Sequence, residues 1–143
     1  MSQAAADPTG FAALLPEDAM IADHRRPGTA EAIEQAPNLR LAAAEIVREG
    51  YLLHYGESRY YDFADDDLAL LAGDRMYAAG LAALAAAADS EAVAALAALI
   101  AGCAEAHAVA EKNALQAQTD DLWAATLAML APGSGADGSA PRA

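Results

Sequence analysis

The stretch that decides the fold is DDDLALLAGDRMYAAGLAALAAAADSEAVAALAALIAGCAEAHA, residues 65–108. Side chains larger than alanine recur in it at the spacing of one helical face, three or four residues or a multiple of that. The first series is Leu70, Tyr77, Leu81 and Leu84, and the second is Val93, Leu96, Ile100, Cys103 and His107. Such a spacing places them on one face of each of two helices. Asp89-Ser90-Glu91 separates the two patterns and offers capping groups. We therefore predict a central antiparallel αα-hairpin of helix 65–88 and a second helix that continues to about 118.

On the N-terminal side, NLRLAAAEIVREGYLLHYGES, residues 38–58, has the same helical spacing of apolar positions. Asn38 is a good N-cap for this helix, and Gly56 is a plausible C-terminal stop. Residues 57–63 then form a connection, and Asp62 or Asp65 begins the next helix.

Weaker helical patterns occupy the rest of the chain. A short helix is expected within 11–24, interrupted near Pro16, and another over 29–36. Thr119 could cap a last amphipathic helix that reaches Leu130. Since no segment alternates polar and apolar residues with period two, the prediction is an all-α protein.

The domain prediction follows from these patterns. It is an Ala-rich bundle of four or five helices forming a single domain over 11–130. The termini, 1–10 and 131–143, are rich in Gly, Ser, Pro and Ala, so we predict disordered tails there.

Composition narrows the classes of function. Alanine supplies 43 of the 143 residues, so the helices pack through small side chains and bury modest area, and a partner subunit could add the missing stability. The net charge of −13, with eight basic residues against 21 acidic ones, argues against nucleic acids and anionic membranes. A single cysteine excludes an internal disulfide and a cysteine-based zinc site.

Location is also predicted from composition. The Ala-rich run 76–88 is too short to insert into a membrane, and the first ten residues lack the features of a secretory signal. The expected location is therefore the cytoplasm.

Large rings are concentrated in YLLHYGESRYYDF, residues 51–63. This segment holds five of the eight aromatic residues of the chain: Tyr51, Tyr55, Tyr60, Tyr61 and Phe63. Rings fill the grooves between Ala-lined helices, and tyrosines also tolerate half-burial at an interface. The segment can therefore anchor the core, form a partner interface or, as a third alternative, line a pocket.

Two sets of residues are candidate metal ligands. Asp62, Asp65 and Asp66 share a helical face at i, i+3 and i+4, and His54 precedes them, which could suit Mg²⁺. The alternative is that these acids stabilise the first turn of a helix through its dipole. Cys103 and His107 form a pair at i, i+4, but two ligands do not make a metal site, and a buried thiol with a core histidine is the favoured interpretation. The prediction is no cofactor, with Mg²⁺ possible only in the first alternative.

The segment 68–108 resembles the mid-domain helix pair of the isoprenyl (polyprenyl) diphosphate synthase family, and Gly73-Asp74 matches the start of its helix. The resemblance implies an all-α fold. The family's catalytic members bind magnesium diphosphates through D-D-x-x-D motifs, which this chain lacks. Because the chain lacks that motif, the resemblance implies a non-catalytic small subunit, in which Gly73 and Asp74 contribute to helix packing. A buried Asp74 would need a hydrogen-bond partner, for which Tyr51 or Tyr55 is the hypothesis.

These observations predict a non-catalytic helical interaction or accessory subunit that binds a protein partner or associates with itself. The partner suggested by the resemblance is a prenyl diphosphate synthase. The alternative is a small metal-dependent enzyme or ligand-binding bundle that uses the Asp62, Asp65 and Asp66 cluster.

Overall fold

A computed structural model describes residues 11–27, 36 and 38–131. The described part contains a short 3-10 helix, Phe11–Leu14, and five α-helices. The α-helices are α1 (Ala19–Ala22), α2 (Leu39–Tyr55), α3 (Asp66–Ala86), α4 (Ser90–Val109) and α5 (Lys112–Leu130). No strand occurs among these residues, and one isolated antiparallel bridge pairs Arg25 with Tyr61. The all-α prediction is confirmed, whereas the predicted tails and the helix over 29–36 lie almost wholly outside the described residues.

Side-chain caps fix where three of the helices begin, as their sequences predict. Asn38, Asp65 and Asp89 each accept a hydrogen bond from a backbone N–H two or three residues ahead, at 3.0, 2.8 and 3.2 Å. Each bond satisfies a donor that the first helical turn leaves without an intrahelical partner. Gly56 ends α2, as predicted.

The chain divides into two compact units, the first ending at Ala88 and the second beginning at Asp89. The single domain predicted over 11–130 thus comprises two units of helices. In the first unit α3 packs against α2, and in the second α4 packs against α5. The segments of the predicted hairpin became α3, in the first unit, and α4, in the second. Spacing did not show that α2 packs against α3, because an apolar stripe made largely of alanine carries little information about its partner.

The first unit is built around a close antiparallel crossing of α2 and α3. A Cβ added at Gly50 would lie 2.7 Å from Tyr77 Cδ1 and 2.8 Å from the Gly73 carbonyl oxygen. At Gly80 it would lie 3.0 Å from the Ala43 carbonyl oxygen. Glycine at these positions therefore lets the two backbones approach more closely than any larger residue would allow. The core beside this crossing contains these buried residues: Leu15, Ile21, Ala36, Ala42, Ile46, Tyr61, Ala72 and Met76.

The prediction that the second helix of the hairpin continues to about residue 118 is wrong. α4 ends at Val109, and α5 already begins at Lys112, because Ala110 takes an extended conformation (φ −73°, ψ 150°). Thr119 is not a cap. It lies inside α5, where its hydroxyl donates to the carbonyl oxygen of Leu115 at 3.1 Å. The Ala-rich pattern continues across the break, so no local pattern of residues indicates it.

Two helices have the length and apolar composition of a membrane span. Within the described residues these are α3 and α4. Core helices of soluble proteins have the same length and composition, so this feature does not distinguish the two kinds of helix. The expectation of no membrane insertion stays a prediction.

Candidate functional site

The connection between α2 and α3 is fixed to a buried carboxylate on α2. Glu49 is fully buried. Its Oε1 accepts a hydrogen bond from Ser58 Oγ at 2.5 Å, and its Oε2 accepts one from Arg59 Nε, also at 2.5 Å. A buried charge is tolerated when it is paired and hydrogen-bonded in this way. The connection therefore has one defined conformation relative to α2.

Further bonds extend this polar cluster, which consists of Glu45, Glu49, Ser58 and Arg59. Arg59 Nη1 donates to Glu45 Oε1 at 2.8 Å, and the guanidinium lies over the ring of Tyr60, 5.1 Å from its centroid. Burial by itself lowers the pKa of Arg59, but the hydrogen bonds and negative charges of Glu49 and Glu45 more than offset this and raise the pKa. Arg59 thus stays charged and holds both carboxylates.

Three of the five clustered rings belong to the core side of the first unit. Tyr61 is buried, and Tyr60 and Phe63 pack partly buried against the same core. Tyr61 Oη accepts a hydrogen bond from Arg25 Nε at 3.3 Å. Burial raises the pKa of the Tyr61 hydroxyl, and the Arg25 charge offsets part of that rise. These rings therefore anchor the connection to the core.

The other two clustered rings do not belong to that core, and Tyr51 is half-buried whereas Tyr55 is exposed. Tyr51 and Tyr55 are in ring contact, with centroids 5.1 Å apart, and His54 contacts Tyr55 at 5.7 Å. His54 also stacks on Tyr77 of α3, with centroids 5.1 Å apart. We call Tyr51, His54, Tyr55 and Tyr77 the aromatic surface. The segment 51–63 thus supplies both a core anchor and an exterior ring cluster, two roles that the sequence analysis treated as alternatives.

The position of Asp74 contradicts the hypothesis that it is buried and hydrogen-bonded to Tyr51 or Tyr55. Its side chain is 67% exposed, and its near neighbour is His54, whose Nε2 lies 3.0 Å from Asp74 Oδ1, rather than Tyr51 or Tyr55. The approach is not aligned as a hydrogen bond, although that nitrogen is buried. The hypothesis is wrong because Asp74 faces outward from α3, while its neighbour Gly73 takes the buried position at the crossing.

The predicted metal ligands do not gather into one set. Asp65 caps α3, and Asp66 lies in the first turn, as the helix-dipole alternative expected. Asp62 and Asp66 line a polar cavity of about 290 Å³ together with Glu57 and Arg26. His54 belongs to the aromatic surface instead. Within the described ranges no three His, Cys, Asp or Glu side chains are grouped closely enough to hold a metal ion.

In the second unit, Cys103 is buried on α4, and His107 is half-buried in the last turn of that helix. Within the described ranges, neither belongs to a group of three potential ligands.

Comparison with known proteins adds no relative: no protein-family model, curated protein or solved structure matches this chain. The arrangement of side chains therefore carries the functional argument.

Sequence reasoning missed the polar cluster. A signal for it existed, because Glu45 and Glu49 are one helical turn apart and Arg59 is the sole basic residue between 56 and 65. What the sequence could not reveal is that Glu49 faces inward beside the apolar residues of α2.

Proposed function

We propose that the protein is a non-catalytic, cytoplasmic interaction subunit that binds a partner protein through the aromatic surface on α2 and α3. The observation that carries the proposal is the cluster of contacting rings that is not part of the buried core of the first unit. Tyr55 is 39% exposed, and Leu70 and Leu71 at the start of α3 are 43% and 62% exposed. Tyrosine is one of the residue types enriched in protein interfaces and among the residues that contribute most of the binding energy.

Rigidity supports the proposal. The crossing at Gly50 and Gly73 holds α2 and α3 in close contact, and His54 stacks on Tyr77 across that contact. The polar cluster then holds the connection that follows Tyr55. Rings held in place before binding lose little conformational entropy when a partner covers them.

The first partner to test is the catalytic subunit of an isoprenyl diphosphate synthase. The support for this choice is the resemblance of residues 68–108 to the family's helix pair. The chain lacks a D-D-x-x-D motif, so a supporting role beside a catalytic subunit fits its residues better than catalysis. Self-association through the aromatic surface is the second possibility, and it would double the 14.6 kDa chain mass in light scattering.

The test is titration calorimetry of the purified chain against the synthase subunit of the same host. We expect the double substitution Tyr51→Ser and Tyr55→Ser to weaken binding roughly 30-fold, the equivalent of about 2 kcal/mol for an interface hot spot. Met20→Ser is the matched control, because Met20 is 59% exposed but lies on α1. The partner assignment fails if the synthase subunit does not bind, and the surface assignment fails if the Tyr double variant binds any partner as tightly as the Met20 control.

The alternative function, a metal-dependent or ligand-binding bundle, is favoured by one observation. Glu57, Asp62 and Asp66 line the same cavity, although within the described residues they do not form a group of three close enough to hold a metal ion. Metal analysis of the purified protein separates the two functions, since stoichiometric Mg, Mn or Fe that is lost in Asp62→Asn and Asp66→Asn would favour the alternative.

A further inference from the structure

The second unit carries a groove between α4 and α5 that is separate from the aromatic surface. Its cavity is about 510 Å³. Its apolar lining, called the floor below, consists of Gly102, Ala106 and Val109 on α4 and of Leu122 and Ala125 on α5. Three of these five residues are Gly or Ala, so an approaching backbone can come close to both helices. We call this feature the α4–α5 groove.

Acidic side chains frame the groove on both walls. Glu105 lies on the α4 wall and Asp121 on the α5 wall, and both are exposed. Across 89–131 there are six acidic residues, and the only Lys or Arg is Lys112. The groove therefore combines an apolar floor with negatively charged rims in a negatively charged unit.

We propose that the α4–α5 groove binds an amphipathic helix of a partner protein, with an apolar stripe on the floor and Lys or Arg residues on both flanks. Helix-in-groove recognition uses apolar anchors at i, i+3 or i+4, and i+7, which a floor between two helices can accept. The rims determine the sign of the flanking charges, because complementary potentials select partners and like charges reject them.

Charge also decides between this occupant and a second copy of the chain. Each copy has a net charge of −13, so two copies joined through this groove would bring acidic rims together. A basic helix removes that repulsion. The inference rests on the proposed interaction role but uses another surface, so the two can fail separately.

The experiment uses the full chain and two synthetic peptides of 19 residues, the length of α5. Both carry the same Leu and Ala stripe, one with Lys and Arg flanks and the other with Glu flanks. Peptide anisotropy measures binding. We expect the basic peptide to bind and the acidic peptide not to bind. The affinity of the basic peptide should fall with added salt, because salt screens exposed charges.

Two groove variants test the site. Glu105→Lys with Asp121→Lys should weaken the basic peptide at least about tenfold, or about 1.4 kcal/mol, since two attractive rims become repulsive. Ala125→Leu keeps the charge but fills the groove and should weaken the same peptide to a similar degree. Glu17→Lys with Asp67→Lys is the matched control, because both residues are exposed in the first unit and the net charge changes equally.

The proposal is overturned if the basic peptide does not bind, if both peptides bind equally, or if the control pair weakens binding as much as the groove pair. It is also overturned if the chain is a dimer that Ala125→Leu dissociates, since a second copy would then occupy the groove. Circular dichroism of every variant, matched to that of the wild type, shows that lost binding is not lost folding. Binding of the synthase subunit through the aromatic surface is measured with Tyr51→Ser and Tyr55→Ser, so failure of the groove leaves the proposed function standing.

Discussion

Gly50→Ala should destabilise the first unit by about 2 kcal/mol. The new methyl group would lie 2.7 Å from Tyr77 Cδ1 and 2.8 Å from the Gly73 carbonyl oxygen. Neither neighbour can move easily, since one is backbone and the other is a ring that stacks on His54. Overpacking a closely packed contact costs about 3 kcal/mol at the upper end of the usual range. Alanine has a better helix propensity than glycine, and this offsets about 1 kcal/mol of the overpacking cost.

Gly102→Ala is the matched control, because this glycine also lies inside a helix. Its Cβ would meet Leu122 Cδ1 at 3.4 Å, which is an ordinary van der Waals distance. Only the propensity gain then remains, so we expect stabilisation of about 0.5–1 kcal/mol. Gly80→Ala should fall between the two, since its nearest contacts are 3.0 Å.

Spectroscopy can follow the two units separately in urea. All five tyrosines lie in the first unit, and the single tryptophan, Trp123, lies in the second. Near-ultraviolet circular dichroism of tyrosine should show the Gly50→Ala loss, and Trp123 fluorescence should show the Gly102→Ala gain. A Gly50→Ala protein as stable as the wild type in the tyrosine signal would refute the close crossing. The same result would remove the argument that the aromatic surface is rigid.

Three further predictions concern the polar cluster, the buried tyrosine and the end of α3. Arg59→Met should cost about 3 kcal/mol, because it leaves the buried Glu49 carboxylate without its cation. Above pH of about 10 the wild type should lose stability that Tyr61→Phe does not lose. The sign follows from the raised pKa of Tyr61: the unfolded chain releases the proton first, so folding is opposed as pH rises. Ala88→Gly should stabilise by about 1 kcal/mol, because Ala88 has φ 60°, a left-handed conformation unfavourable for alanine.

Each of these predictions has a measurement that can contradict it. For Arg59, urea unfolding of the double variant Glu49→Met with Arg59→Met should recover most of the loss, and no recovery would argue against a buried unpaired charge. For Tyr61, equal pH slopes in the wild type and Tyr61→Phe between neutral and alkaline pH would contradict the raised pKa. For Ala88, a lower melting temperature in Ala88→Gly would show that the left-handed conformation carries no strain.

How far the sequence predicts this protein differs between the helices and the candidate site. The predicted helix starts at Asn38, Asp65 and Asp89 are confirmed. They could be predicted because each cap is a local hydrogen bond that needs no tertiary partner. The break at Ala110 has no local signal and was missed. The sequence also does not show that Tyr61 lies in the core while Tyr51 lies in the aromatic surface. The two tyrosines are close in sequence, but Tyr51 is on α2 and Tyr61 is in the connection that turns back to the core.

By itself, the sequence determined that the chain is helical, because alanine propensity and capping side chains act within a few residues of one another. Tertiary structure decided that α3 pairs with α2 and α4 with α5, since alanine stripes fit many partners and only close crossings such as Gly50 on Gly73 select one. It also decided that Glu49 is buried and paired, because burial depends on which connection folds back over the helix. Local chemistry thus specifies the helices, whereas the three-dimensional packing of side chains specifies their surfaces.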